Sequence, residues 1–171
     1  VRDTVAAAID IARFTAADPC AGLADASLMA TAMPDLDLYH PWALPVEGAI
    51  DLARRCEAAA FAVSPQVSNS EGASVSTQEA HFISANSHGF MGGYPTSRNY
   101  IACSVIAGEG DGMQRDDWYS TARSGTALAS PEAIGDYAAR RALARTAGRK
   151  IKTCQVPVMF DVIASSLPHI Q

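Results

Sequence analysis

The sequence predicts an α+β fold in which helices flank an antiparallel β meander, with a second, mainly-β domain starting at the C-terminal end. Three observations carry this. Two segments show apolar residues at helical spacing near the start, and a third opens on a helix cap. Between the second and third lies a long stretch where apolar and polar residues alternate. Runs of helix, strand and helix in that order point to α+β rather than to alternating βαβ units.

The first helix is expected from Val1, Val5, Ala8, Ile9 and Ala12, with Arg2, Asp3, Asp10 and Arg13 on the other face. It ends before Asp18-Pro19, because the residue before proline avoids the helical region. A loop-rich stretch from Pro19 to Pro45 follows, with a short helical turn around Ala26 to Ala32. Pro45 suits the first position of a second helix. Val46, Ala49, Ile50, Ala53 and Ala60 line one side of it, and it stops before Ser64-Pro65.

From Gln66 to Arg123 the period changes to two. Ile101, Cys103, Val105 and Ala107 alternate with Tyr100, Ala102, Ser104 and Ile106. Shorter strands are expected at Ala73 to Thr77, His81 to Ala85, Phe90 to Tyr94 and Trp118 to Ala122. Asn69-Ser70-Glu71-Gly72, Asn86-Ser87-His88-Gly89 and Gly108 to Gly112 read as the turns. Ser130-Pro131-Glu132 opens a third helix, and Arg140, Arg141, Arg145, Arg149 and Lys150 crowd its end, where cations offset the helix dipole. A strand over Val156 to Val162 is expected next, so a domain boundary is placed near Thr153. Residues 1–152 then form one α+β domain, incomplete at its start, and 153–171 begin the next.

Composition narrows the function classes. Hydrophobic residues make up 49% of the 171 and charged residues 18%, enough apolar material for a core. No apolar run reaches the length of a membrane span. The opening Val1-Arg2-Asp3-Thr4 reads as a helix already under way, not a targeting peptide, and the chain reads as an internal fragment. A net charge of −5 argues against nucleic acid as a partner, since phosphate binding needs a basic surface. Cys20, Cys56, Cys103 and Cys154 have no zinc-ligand spacing and read as reduced thiols of a cytoplasmic protein, with Cys56 a small core residue.

Taken one by one, the reactive residues point to no catalytic site. His81 and His88 are seven apart in strand and turn, unlike the helical i, i+4 pair of a zinc protease. Cys20, as a nucleophile, would need a base such as His81 or His88, and the sequence displays no pairing. Gly108-Glu109-Gly110-Asp111-Gly112 has the look of a phosphate loop, but its two carboxylates would repel phosphate. With Asp116 and Asp117 these acids lack the spacing of a calcium loop. Ser165 or Ser166 with His169 lacks both the nucleophile elbow and an orienting acid.

Several strings, in order and covering nearly the whole chain, carry a resemblance. They are Ala16 to Leu23 (with Asp18, Pro19 and Cys20), Asn69-Ser70-Glu71-Gly72-Ala73-Ser74, and Asn86 to Phe90 (with His88 and Gly89). They continue with Gly92 to Arg98, Cys103 to Glu109, Met113-Gln114-Arg115-Asp116, and Arg149-Lys150. Together they resemble the PmbA, or TldE, branch of the TldD/PmbA family. The resemblance implies a bacterial protein, once described as a modulator of DNA gyrase, that pairs with a TldD-type subunit or forms a homo-oligomer. It implies a zinc-dependent peptidase acting on unfolded or leader peptides, with the zinc on a His-Glu-x-x-x-His helix of the partner subunit and no cofactor in this chain. Here His169 stands where the first ligand would be, but Pro168 and Ile170 replace the family's glycine and glutamate, so His169 is assigned no metal role. The expected function is therefore a metal-free subunit of a peptidase complex. The alternatives are a stand-alone cysteine- or histidine-dependent hydrolase and a gyrase-associated regulator. Asp18, Pro19, Cys20, Asn69, Ser70, Glu71, Gly72, His88, Gly89, Arg98, Glu109, Arg115 and Asp116 are the motif residues whose role is left open.

Overall fold

The structure, a computed structural model, describes residues 1–159. Three α-helices and a three-stranded antiparallel sheet make up the fold: α1 (Arg2–Phe14), α2 (Val46–Ala62), β1 (Val67–Ala85), β2 (Met91–Ala107), β3 (Gln114–Ala122) and α3 (Pro131–Thr146). The sheet order is β1-β2-β3. The chain forms two units. Among the described residues, 1–43, 77–99 and 122–127 make one, and 44–76, 100–121 and 128–159 the other, so β1 and β2 each contribute to both.

The second unit holds the apolar core. Alternate residues of β2, Ile101, Cys103, Val105 and Ala107, are buried on one face of the sheet. Cys56 and Ala60 of α2 and Ile134, Ala138, Ala139 and Ala142 of α3 are buried as well. The helices meet through small residues. A Cβ added at Gly135 would collide with the carbonyl oxygen of Cys56, so this position admits only glycine without displacing a helix. Glycine inside a helix costs about 1 kcal/mol relative to alanine. Here the close helix–helix approach that it permits offsets that cost. The Cys56 thiol donates to Cys103, and that bond together with burial pushes it far above the ordinary thiol range. It is a core thiol, as expected, and an inert one.

α3 starts as its sequence requires: the Ser130 hydroxyl accepts from the Ala133 N–H at 3.2 Å, and Pro131 takes the first position. Across the α2–α3 pair, Arg55 Nε lies 2.7 Å from Glu132 Oε1. The hairpin between β1 and β2 is a three-residue turn. Gly89 N donates to Asn86 O, Asn86 N donates to Phe90 O, and Gly89 adopts φ +89°.

Five expectations change. The meander is three long strands, not five short pieces, and Asn69-Ser70-Glu71-Gly72 lies inside β1 rather than in a turn. The reason is local: Asn69 Oδ1 accepts from Ser70 N, Ser70 Oγ accepts from Gly72 N, and Gly72 takes φ +107°. These are turn-type interactions that the strand absorbs as a kink. Pro45 is the cap of α2, not its first residue. Of the apolar face expected for α2, Ala60 is buried, as is Cys56, but Val46 and Ile50 are exposed. α1 keeps its apolar stripe but buries none of its residues within residues 1–159. Val156 to Met159 form no strand, and the rest of that segment, with Ser165, Ser166, Pro168, His169 and Ile170, lies outside the described residues.

Two outcomes follow from the helix pair. Gly135→Ala should destabilise the chain by roughly 1–3 kcal/mol through overpacking, read as a lower urea midpoint. Arg55 holds the Glu132 carboxyl below its ordinary value of 4.5. A depressed carboxylate contributes stability that is present above that ordinary value and lost as pH falls through the lower folded value. The difference in urea midpoint between the native chain and Arg55→Gln should therefore be constant above about pH 4.5 and shrink below it.

Candidate functional site

The motif residues do not converge on one point; they separate into several places. The first is the sheet face turned away from α2 and α3. Glu71 of β1, Ser104 of β2 and Arg115 of β3 come together there across all three strands. Arg115 Nε lies 2.9 Å from Glu71 Oε2, Ser104 Oγ donates to the same Glu71 oxygen at 3.2 Å, and Arg115 Nε lies 3.3 Å from Ser104 Oγ. Ser70 Oγ donates to Ser104 O at 3.3 Å. The irregular backbone at Gly72 lies next to this cluster, as irregular strand residues often do beside sites.

These residues edge a cleft of about 370 Å³ lined also by Ala73, Tyr100 and Asp117. Tyr100 and Tyr119 stack beside it, with ring centroids 5.6 Å apart. Glu71, paired with a guanidinium and a hydroxyl, is occupied as an acceptor and poorly suited to act as a general base. The face offers aromatic and charge-paired recognition instead.

Asp116, the neighbour of Arg115 in β3, points to the opposite, helix-covered face. Its side chain is 11% exposed and lies 3.3 Å from Arg141 Nε and 3.5 Å from Arg145 Nη1. Arg141 also sits 5.2 Å over the Trp118 ring, which contacts Tyr137 at 4.5 Å. Asp116 is thus an anchor for α3. Glu109 is exposed at the β2–β3 turn, beside a cleft of about 590 Å³ that Pro65 and Thr146 also line.

The remaining motif residues lie in the other unit. Asp18 Oδ1 accepts from Cys20 N at 2.8 Å, which with Pro19 makes a surface turn. Cys20 is exposed, and among the described residues no hydrogen bond joins it to a histidine. His88 Nε2 is 3.3 Å from Ala24 O, so it ties the hairpin turn to a loop. Arg98 is an exposed, partnered residue of β2. Among the described residues no group of three or more His, Cys, Asp or Glu side chains could hold a metal ion, so they do not fit the zinc of the resemblance. Nor is any described helix long and apolar enough to cross a membrane.

Residues 39–146 match the PmbA/TldA metallopeptidase central domain. The chain belongs to the PmbA/TldD family. It is 43% identical over 157 residues to the Metalloprotease PmbA of Escherichia coli O157:H7, covering 92% of this chain and 35% of that protein. It is 37% identical over 171 residues to the Metalloprotease PmbA homolog of Haemophilus influenzae, covering 99% of this chain and 38% of that protein. The chain thus spans little more than a third of the length of these relatives. Two solved structures share its fold, both described as modulators of DNA gyrase. The one from Bacteroides thetaiotaomicron has a TM-score of 0.79 at 24% identity, covering 88% of this chain and 35% of its own. The one from Thermotoga maritima has a TM-score of 0.57 at 22% identity, covering 64% of this chain and 25% of its own.

Two features of these sites escaped the sequence. Ser104 read only as the polar partner in an alternating strand, although its string was part of the family resemblance. The arginines that hold Asp116 read only as dipole-offsetting charge at a helix end. Asp116→Ala should lower stability by about 2 kcal/mol, between the values of exposed and buried pairs, because it removes the carboxylate that holds both Arg141 and Arg145. Urea unfolding checks this, and peptide binding by the folded variant should be unchanged.

Proposed function

We propose that this chain is part of a metal-free, peptide-handling subunit of a PmbA/TldD-type metallopeptidase complex. The match to the metallopeptidase central domain over residues 39–146 is the observation that carries the reading. The side chains themselves favour binding over catalysis: Glu71 is paired with Arg115, and Cys20 is an exposed turn residue engaged through its backbone with Asp18. In this reading a TldD-type partner, or a second copy of the chain in a homo-oligomer, completes the assembly. The partner supplies the zinc, the substrates are unfolded or leader peptides, and the compartment is the cytoplasm. A second domain begins near Thr153. The motif residues Asn69, Ser70, Glu71, Gly72 and Arg115 are assigned to recognition on the open sheet face.

The alternative of a stand-alone hydrolase built on Cys20 is less well supported, because activation of a thiol needs a nearby base or a positive field. The test uses the full-length protein and an unfolded peptide, alone and mixed with a TldD-type partner. Cleavage should require the mixture and disappear with a chelator. Chelator-resistant cleavage by this protein alone, lost on Cys20→Ala, would replace the proposal with the hydrolase.

A further inference from the structure

β3 is nine residues long against seventeen for β2, and it is joined to the C-terminal end of β2 through Gly108 to Met113. The N-terminal stretch of β2, from Met91 toward Pro95, is therefore a sheet edge that β3 does not reach. At Ser97 that edge is closed: Ser97 N donates to Leu38 O at 3.0 Å, and His40 N donates to Ser97 Oγ at 2.8 Å. Before Ser97, the segment 29–39 touches the strand through the Met33 side chain, which lies against Gly92, and two cavities lie between the segment and the strand. One, of about 730 Å³, lies between Met29–Met33 and His88–Gly93; the other, of about 480 Å³, lies between Met33–Tyr39 and Gly93–Pro95. Met33 and Gly93 line both, so the two cavities adjoin along the strand edge as a slot with the Met33 side chain between its two ends.

The two ends of the slot differ in chemistry. Met29, Met33, Phe90 and Met91 make the first end apolar and adaptable, since unbranched thioethers re-pack around varied shapes. The second end carries Asp35 and Asp37, and the lining Tyr39 bonds a third carboxylate, Glu79, at 2.7 Å. Neither cavity is lined by lysine or arginine. Asp37, with φ +48°, keeps its side chain 87% exposed and has His40 Nε2 3.4 Å away. A nucleic acid, or another acidic surface such as that of this chain with its net charge of −5, would be repelled at that end.

We infer that this slot takes a short extended peptide segment, an apolar side chain in the methionine end and a basic side chain at the Asp35–Asp37 end. The inference rests on the peptide-handling role proposed above and gives that role a second location, apart from the open sheet face, with a charge preference. Recognition of this kind uses main-chain bonds along an open strand edge for affinity and side-chain pockets for selection. Pro95 has no N–H to offer, and N–H groups alternate sides along a strand, so with Ser97 N on this edge the donors left for an incoming strand are those of Met91 and Gly93. A strand rises about 3.3 Å per residue, so the stretch from Met91 to Pro95 accommodates roughly five residues of peptide.

The test is fluorescence anisotropy with the full-length protein, alone, and two labelled octapeptides, one alternating Leu and Lys, the other Leu and Glu. The Leu–Lys peptide should bind at least about tenfold more tightly, with affinity falling as salt rises. Asp35→Asn combined with Asp37→Asn should remove that preference. Ala30→Trp, a substitution at an exposed cavity wall, should weaken binding of both peptides. Equal binding of the two peptides, or affinities unmoved by these variants, would overturn the inference. So would failure of the full-length protein to bind either peptide, including the case in which sedimentation shows a dimer that Ala30→Trp dissociates. Cleavage with the TldD-type partner is measured separately. If cleavage fails while selective binding persists, the proposed complex is wrong and the slot stands; if cleavage succeeds without selective binding, the slot is wrong.

Discussion

The contact between Gly135 and the Cys56 carbonyl sets the spacing on which the core of the second unit depends. Helices approach this closely only where side chains vanish, and α3 presents Gly135, Ala138, Ala139 and Ala142 along its buried side. With the helices that close, Cys56 reaches Cys103 in β2, and the buried row of the strand finds a continuous apolar cover. Packing at organic-crystal density leaves little freedom to relax around such a point. The opposite sheet face is left for polar chemistry as a direct result, since both helices occupy the other side.

That division of faces explains why adjacent motif residues do different work. Arg115 and Asp116 are neighbours, but successive residues of a strand point to opposite faces. One joins Glu71 and Ser104 on the open side; the other is held by Arg141 and Arg145 beneath the helices. Being neighbours in one motif says nothing about sharing a role. The same alternation places Ser104 beside Glu71 while its neighbour Cys103 is in the core.

Much of the architecture was legible from local signals. The cap at Ser130, the proline at Pro131, the two-residue period around Cys103 and the Asn86 to Gly89 turn each act over a few residues, and each appears as expected. Legibility failed where distant residues decide. Asn69 to Gly72 carries turn chemistry, yet pairing with β2 holds it in a strand. In α2 the expected Ala60 and Cys56 are buried, but the larger apolar residues Val46 and Ile50 of the same expected face are exposed, because burial is confined to the small residues where α3 comes close. Of the candidate site, the sequence marked Glu71 and Arg115 as motif members and left their partnership invisible, since 44 positions separate them.

The sequence by itself determined the α+β class, the start of α3, the Asn86 to Gly89 and Gly108 to Gly112 turns and the family, because these rest on local propensity or on ordered strings of residues. Only the tertiary structure decided which motif residues meet, which are structural and where a slot opens along β2. Those outcomes depend on strand alternation and on helix approach over long separations, and neither is encoded within any short stretch of chain.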